Sequence, residues 1–327
     1  MFQPDDVYQG DARYIAEHIP ADSVALSVWS PPYYVGKAYE RDMSFLEWKA
    51  LLRRTIEAHT AILKPGGFLV INIADILCFK DTALPRIMAE NVSRRKRADI
   101  TRDMVQAAMI AHPDKKRHQI AALLGCSEQT VDRRLKGNNI RGGKHVTQTR
   151  VKLVGALLEK FAYDARLFLY DSRVWVKDAA WENSRWHTMS YRAVDEFEHL
   201  FFFWKPGPTR IDKSRLTKDE WVAWGSRAVW RIPSVRINDD HEAKFPLELP
   251  RRVIQLLTDP GELVIDCFAG SGTSGVAAVL ERRRFIGVDL DETYVSLARK
   301  ALQATLTQRK QLTLALISGH AAGNPAA

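Results

Sequence analysis

A chain of 327 residues, 46% hydrophobic and 27% charged, can bury one sizeable core plus an accessory module, which excludes a disordered or fibrous protein. Its three cysteines, Cys78, Cys126 and Cys267, lie far apart with no CxxC, so they signal neither a disulfide framework nor a zinc site and fit a reducing compartment. The net charge of +9 is localised: residues 91–150 hold 14 Lys+Arg against 5 Asp+Glu, while the rest of the chain holds 34 of each. No apolar run approaches the ~18 residues that span a bilayer, and the start, MFQPDDVYQGDA, lacks a basic-then-apolar signal pattern. The expectation is a cytoplasmic protein without a membrane partner.

Along the chain, SVALSVW (23–29) alternates small and branched apolar residues and predicts a buried strand. It stops at Ser30, Pro31, Pro32, Tyr33 and Tyr34. An ordinary turn favours Asn, Asp or Gly, so a hydroxyl on a stiff Pro-Pro corner beside aromatic rings suits a flat polar ligand at a strand tip. FLEWKALLRRTIEAHTAILK (45–64) has helical spacing, ended by PGG (65–67). FLVINIADI (68–76) reads as a strand buried on both faces.

The basic block then interrupts this β-α-β pattern. TRDMVQAAMIAH predicts a packing helix, HQIAALL a short amphipathic helix, GCS a tight turn with Gly125, and SEQTVDRRLKG a helix capped by Ser127. Ile120, Ala121, Leu124, Val131 and Leu135 would form a small core, with Gln129, Thr130, Arg133, Arg134 and Lys136 facing outward. This is the helix-turn-helix pattern, whose second helix enters the major groove of DNA. A helical hairpin for protein contact is the blander reading, and the local excess of positive charge weighs against it.

The alternation resumes with a helix over VKLVGALLEKFAYDA (151–165) and strands over RLFLYDSRVWVK (166–177) and EFEHLFFFWK (196–205). PRRVIQLLT (250–258) predicts a helix. ELVIDCFAGSGTSGVAAVLERRRFIGVDLDETYVSLARKAL then reads strand, Gly-rich turn, helix, strand, acidic turn, helix, a βαβ unit. Its first strand ends at Asp266, Gly270, Gly272 and Gly275 open a helix near Thr273, and Asp289 tips the next strand, where a carboxylate can take two ribose hydroxyls. GSGTSG fits the dinucleotide frame GxGxxG literally. Asp266 ahead of the turn and Phe268 within it point elsewhere: a carboxylate aimed into the site repels pyrophosphate and welcomes an ammonium. An adenosine joined to an amino acid is S-adenosylmethionine. The tail, 311–327, reads as flexible.

DCFAGSGT together with SPPY resembles the S-adenosylmethionine-dependent amino-methyltransferases of DNA, the cytosine-N4 and adenine-N6 enzymes. HEAKFPLELPRRVI (241–254) resembles the segment before that family's glycine strand. The order, catalytic motif first and glycine motif last, is that of the β group, and the resemblance covers 7–90 and 151–305. It implies an α/β fold: a doubly wound, mostly parallel seven-stranded sheet, Rossmann-like with permuted motifs, in a catalytic domain of 1–90 and 151–310. The helix-turn-helix insert at 91–150 departs from the family's usual short connection, and 178–236 would serve target recognition.

The resemblance further implies S-adenosylmethionine held by Asp11, His241, Phe245, Asp266, Phe268, Gly270, Ser271, Gly272, Thr273 and Asp289, with no metal. A base rotated out of double-stranded DNA would meet Ser30, Pro31, Pro32 and Tyr33. Ser30 Oγ and the Pro31 carbonyl would accept the amine's two N–H groups, favouring a pyramidal, nucleophilic nitrogen, and Tyr33 would stack on the base. Helix capping is the blander role for His241, a surface turn for Asp11. For donor and amine to meet, the strands ending at Ser30 and Asp266 must be neighbours where the chain order reverses.

Serine at the first motif position resembles the cytosine-N4 enzymes; adenine-N6 is the alternative. Methylation at cytosine C5 needs a cysteine nucleophile, and no cysteine here follows a proline. A silent DNA-binding regulator and an RNA or protein amine methyltransferase are the other classes; the intact motifs weigh against the first, the helix-turn-helix against the second. A separately acting cognate restriction endonuclease, a prokaryotic or phage source, and a monomer or homodimer complete the expectation.

Overall fold

The computed structural model describes residues 1–34, 43–77, 86–91, 99–136, 143–148, 151–178, 196–235 and 245–321. The chain divides into two compact units, one of Met1–Cys78, Val151–Ala180 and Asp195–Ala327, the other of Phe79–Arg150 and Trp181–Val194. In chain order the strands are β1 (Asp6–Gln9), β2 (Val24–Trp29), β3 (Leu63–Ile73), β4 (Ile76–Leu77), β5 (Arg86–Asn91), β6 (Gly143–Gln148), β7 (Val151–Lys152), β8 (Phe168–Val176), β9 (Phe197–Trp204), β10 (Val229–Arg231), β11 (Leu263–Asp266) and β12 (Arg284–Asp289). The helices are α1 (Phe45–Ile62), α2 (Arg102–Ala111), α3 (Arg117–Leu123), α4 (Glu128–Lys136), α5 (Val154–Asp164), α6 (Lys218–Glu220), α7 (Glu248–Leu257), α8 (Thr273–Leu280) and α9 (Glu292–Ala321). Among the described residues no helix is long and apolar enough to cross a membrane.

In the first unit eight strands form one sheet, ordered β1-β12-β11-β2-β3-β9-β8-β10. Only β9 among them runs antiparallel to its neighbours, β3 and β8. The expected mostly parallel α/β sheet is therefore present, but with eight strands rather than seven. The edge strand β10 is three residues long, too short to show a period, and it is anchored by buried Trp230, whose indole N–H donates to the Trp224 carbonyl.

Both faces are covered, as a parallel sheet requires. Trp48, Leu52 and Ile56 of α1 and Val154, Leu158 and Phe161 of α5 pack on one face. Leu249 and Val253 of α7, Ala277 of α8 and Val295, Ala298 and Leu302 of α9 pack on the other. From β11 the chain proceeds through α8 to β12 on one side; from β2 it proceeds through α1 to β3 on the other. The strand order thus reverses between β11 and β2, which pair in parallel with Ile265 opposite Ser27.

Two local expectations are corrected. PGG does not separate helix from strand: α1 ends at Ile62, and Leu63–Ile73 is one strand containing it. Lys205, just beyond β9, accepts from the Gly66 amide and donates to the Gly67 carbonyl (2.9 and 3.0 Å), so the backbone groups a turn would have exposed are paired. Val151 and Lys152, expected to begin a helix, instead pair with Leu77 and Ile76.

The second unit contains a feature with no sequence signal, an antiparallel ladder of β5 and β6 running from Arg86 opposite Gln148 to Asn91 opposite Gly143. Between these strands lie α2, α3 and α4. Ile120, Ala121 and Val131 are buried with Leu124 and Leu135 against them, as the sequence predicts, and Ile100, Val105, Ala108, Met109 and Cys126 join that core. Thr101 caps α2 and Ser127 caps α4 through bonds from the Met104 and Thr130 amides (3.2 and 3.3 Å). Gly125 turns the chain between α3 and α4 with φ 59°, and Arg117 pairs with Asp132 at 2.7 Å across the two helices.

Candidate functional site

Ligands of open α/β sheets sit beyond the carboxyl ends of the strands at the point of reversal. Here that point is flanked by the SPPY corner, after β2, and the glycine turn, after β11. Neighbouring strands run about 4.8 Å apart, and Trp29 and Phe268 meet edge to face with ring centroids 5.2 Å apart. The two motifs, 236 positions apart in sequence from Ser30 to Asp266, are brought side by side.

On the glycine side, Gly270 and Gly272 adopt φ 50° and 84°. A Cβ at Gly272 would lie 2.9 Å from the Ala298 backbone on α9, so the turn can lie this close only with glycine. Asp289 holds the turn from the next strand: its Oδ2 accepts from the Gly270 amide (2.8 Å) and its Oδ1 from the Asp291 amide (3.1 Å). A carboxylate can accept up to about four hydrogen bonds, so holding the turn and receiving a hydroxyl are compatible. Ser271 Oγ lies 3.5 Å from Thr273 Oγ1 at the start of α8.

Asp266 departs from its expected posture. Rather than pointing into the site it is 1% exposed, accepting from the Phe268 amide (2.9 Å) and the Ser274 hydroxyl (2.6 Å). Burial, reinforced by the like charge of Asp289, pushes its carboxyl up to about 7 against the hydrogen bonds that favour the anion. It clips the turn from beneath.

Asp11 caps the short 3-10 helix Ala12–Glu17 through the Arg13 amide (2.9 Å) and pairs with the Arg13 guanidinium. Burial pushes its carboxyl up, but the hydrogen bonds and charge of Arg13 win and hold it below the usual range. The preceding Gly10 amide donates to the Asp289 carbonyl (2.9 Å), and Asp11, Asp266 and Asp289 all act electrostatically on buried Cys267. Asp289 bonded to the turn and Asp11, itself paired with Arg13, put carboxylates at this end of the sheet, an arrangement that disfavours pyrophosphate. Phe245 packs, half-buried, against the core shared by α7, α8 and α9. His241 lies outside the described residues.

On the SPPY side, Ser30 Oγ lies 2.7 Å from Tyr33 Oη and 3.0 Å from the Asn72 carbonyl. Tyr33 Oη donates to Glu198 Oε2 (2.7 Å) and also approaches the Asn72 carbonyl and Oδ1, both at 3.3 Å. Glu198 pairs with Lys177. Buried Trp48 donates its indole N–H to the Pro32 carbonyl (2.7 Å), fixing the Pro-Pro corner to α1. Tyr34 follows at φ 57°, among Phe45 and Trp48; a bulky residue rarely holds that conformation without surrounding restraint.

Sequence reasoning missed Trp48, Asn72, Glu198 and Lys177. Asn72 carried a usable signal: it is a lone amide in the apolar run FLVINI, and a buried polar residue is the informative kind. Glu198 likewise precedes a run of apolar residues in β9.

In the second unit, Gln129 and Lys136 are exposed on α4 while Thr130, Arg133 and Arg134 are half-buried. The Thr130 hydroxyl lies 3.0 Å from Ser127 Oγ within the cap. Arg133, Arg134 and Lys136 crowd the last turn, where cations also favour the helix dipole.

Residues 24–300 match the N6/N4 DNA methylase family. The type II methyltransferase M.BglI of Bacillus subtilis is 54% identical over 304 residues, 93% of this chain and 87% of that protein. M.Cfr9I of Citrobacter freundii, another type II methyltransferase, is 27% identical over 91% of this chain and 87% of its own. Among solved structures, TTHA0409 of Thermus thermophilus, in complex with S-adenosyl-L-methionine, superposes with a TM-score of 0.58 at 23% identity, covering 92% of this chain and 94% of the other. The extent of the family match and the identity to M.BglI, joined to the SPPY corner and glycine turn side by side at the sheet's point of reversal, make this chain a member of the N6/N4 DNA methylase family.

Proposed function

We propose that the protein transfers a methyl group from S-adenosylmethionine to the exocyclic N4 amine of cytosine in duplex DNA, with the base rotated out of the helix. The observation that carries the reading is the adjacency of the SPPY corner and the glycine turn on paired strands. S-adenosylmethionine, when bound, supplies an electrophilic methyl carbon on a cationic sulfur. The residues that would hold it are Asp11 and Asp289, with Phe268, Gly270, Ser271, Gly272 and Thr273; Asp289 would receive ribose hydroxyls, and Asp266 would act from beneath by holding the turn in shape. His241 and Phe245 belong to the same proposal through the motif they share.

Ser30 Oγ and the Pro31 carbonyl would accept the amine's hydrogens, and Tyr33 would present its ring to the base. Two acceptors aimed at one nitrogen favour the geometry in which its lone pair leaves the ring π-system. Serine at this position supports cytosine over adenine. Tritiated or isotope-labelled methyl transfer to duplex DNA, followed by nucleoside mass analysis, tests the choice: N4-methylcytosine is expected. N6-methyladenine would overturn the choice of base while leaving the reaction type standing.

The insert is read as a helix-turn-helix of α3 and α4, with Gln129, Thr130, Arg133, Arg134 and Lys136 offered to DNA and 178–236 contributing to target recognition. What supports this is the packed three-helix core together with the local positive charge. As M.BglI bears the name of a type II methyltransferase, the role proposed for this chain is protection of DNA from a separately acting cognate endonuclease.

A further inference from the structure

Methyl transfer builds positive charge on the amine nitrogen, yet Ser30 is a neutral acceptor. An electrostatic partner for that charge is expected within reach, because preorganised dipoles and charges supply much of an enzyme's rate. Behind Ser30 the structure contains one. We propose that Glu198, with Lys177 beside it, is the charged end of a hydrogen-bonded chain, Ser30–Tyr33–Glu198, that strengthens Ser30 as acceptor and takes up the proton released by the methylated amine. The inference rests on the reading of Ser30 as the amine's acceptor.

The direction of the chain follows from which atoms can donate. A carboxylate paired with lysine accepts only, so the Tyr33 proton points to Glu198 Oε2 (2.7 Å). Ser30 is then the donor to Tyr33 Oη (2.7 Å), with the Asn72 carbonyl (3.0 Å) as its alternative acceptor. Either way the Ser30 proton is drawn backward into the protein, and an Oγ lone pair is turned toward the strand tip. Asn72 is itself oriented: its Nδ2 donates to the His199 carbonyl (3.1 Å), which turns Oδ1 toward Tyr33.

Glu198 is 7% exposed. A carboxylate that buried is costly unless paired, and Lys177, bonded to the other oxygen, supplies the pairing. Hydrogen bonds in such chains polarise one another, so the distant charge is felt at Ser30 Oγ.

The proton balance closes. After methylation the nitrogen bears one surplus hydrogen; its N–H bond breaks with the electron pair kept by nitrogen. The proton passes to Ser30 Oγ, the Ser30 proton to Tyr33 Oη, and the Tyr33 proton to Glu198, which becomes a neutral acid beside Lys177. Glu198 is thus a positioning residue, acting through Tyr33 and Ser30 rather than on the base.

Glu198→Gln, Tyr33→Phe and the double variant of the full chain test this by single-turnover transfer of labelled methyl to duplex DNA, with dissociation constants measured for S-adenosylmethionine and DNA. Each single variant is expected to lose roughly 10–100-fold in rate with both dissociation constants within about threefold of the parent. The double variant should fall no further than the slower single, because all three interrupt one chain. A single variant within twofold of the parent, or losses that multiply in the double, overturns the proposal. Should Glu198→Gln unfold by stranding Lys177, Tyr33→Phe interrupts the chain with the ion pair intact and decides alone. A parent that transfers no methyl group to DNA defeats the reading of Ser30 instead, so the two failures are distinct.

Discussion

His59 of α1 and Asp266 of β11 are both buried, and they carry opposite pH dependences. Burial holds His59 down to about 4. Its Nδ1–H donates to the Thr55 carbonyl (2.6 Å), which leaves Nε2 to accept from the Ser27 hydroxyl (2.8 Å). A depressed histidine contributes stability above its unfolded pKa near 6.5 and loses it as pH falls to about 4, some 3 kcal/mol in all. Asp266, raised from 3.8 to about 7, does the reverse: its contribution is present below 3.8 and lost as pH rises to about 7, roughly 4 kcal/mol. Between about pH 4 and 6.5 the two slopes oppose each other. Asp266→Asn should therefore expose the histidine, giving a urea-unfolding free energy that climbs with pH by about 3 kcal/mol more than the parent's across that window. Parallel curves would refute the assignment. Neither partner set was readable in advance: Ser27 and His59 are 32 residues apart, and local pattern says nothing about which buried groups meet.

At the scale of elements, the glycine turn shows how far local chemistry reaches. Its glycines, its position between a strand and a helix, and the acid at the next strand tip are all visible in the string of residues. The reason for Gly272 is not: the obstacle to a side chain is Ala298, on a helix 26 positions later. Gly272→Ala meets both that obstacle and a left-handed backbone, and should destabilise the first unit by about 2–4 kcal/mol while weakening S-adenosylmethionine binding. Equilibrium denaturation and calorimetry check both effects; an unchanged denaturation midpoint would show that α9 yields. The β5–β6 ladder illustrates the opposite case. Its strands are 52 positions apart from Asn91 to Gly143, and flanking basic residues conceal any alternation, so a pairing that brackets three helices along the chain left no mark in the pattern.

For the whole molecule, that ladder offers a clean way to remove the three helices of the second unit. Replacing 92–142 by a two-residue turn between Asn91 and Gly143 removes α2, α3 and α4 together and leaves the chain of the eight-stranded sheet intact. DNA affinity should fall and its salt dependence flatten by about 0.9 in logarithmic slope for each phosphate the helices had neutralised, with S-adenosylmethionine affinity unchanged. An unaltered slope would mean that the basic insert neutralises no phosphates. The sequence alone determined which parts this protein has: a hydroxyl-proline corner ending one strand, a glycine turn ending another, an acid at a third, and a basic helical block. Period, turn chemistry and charge are local properties, legible residue by residue. Only the tertiary structure decided that β11 lies against β2, that Asp266 is buried beneath its turn, and that Glu198 stands behind Tyr33. Strand neighbours and buried partners are selected by how whole faces exclude water, and that selection has no local signature.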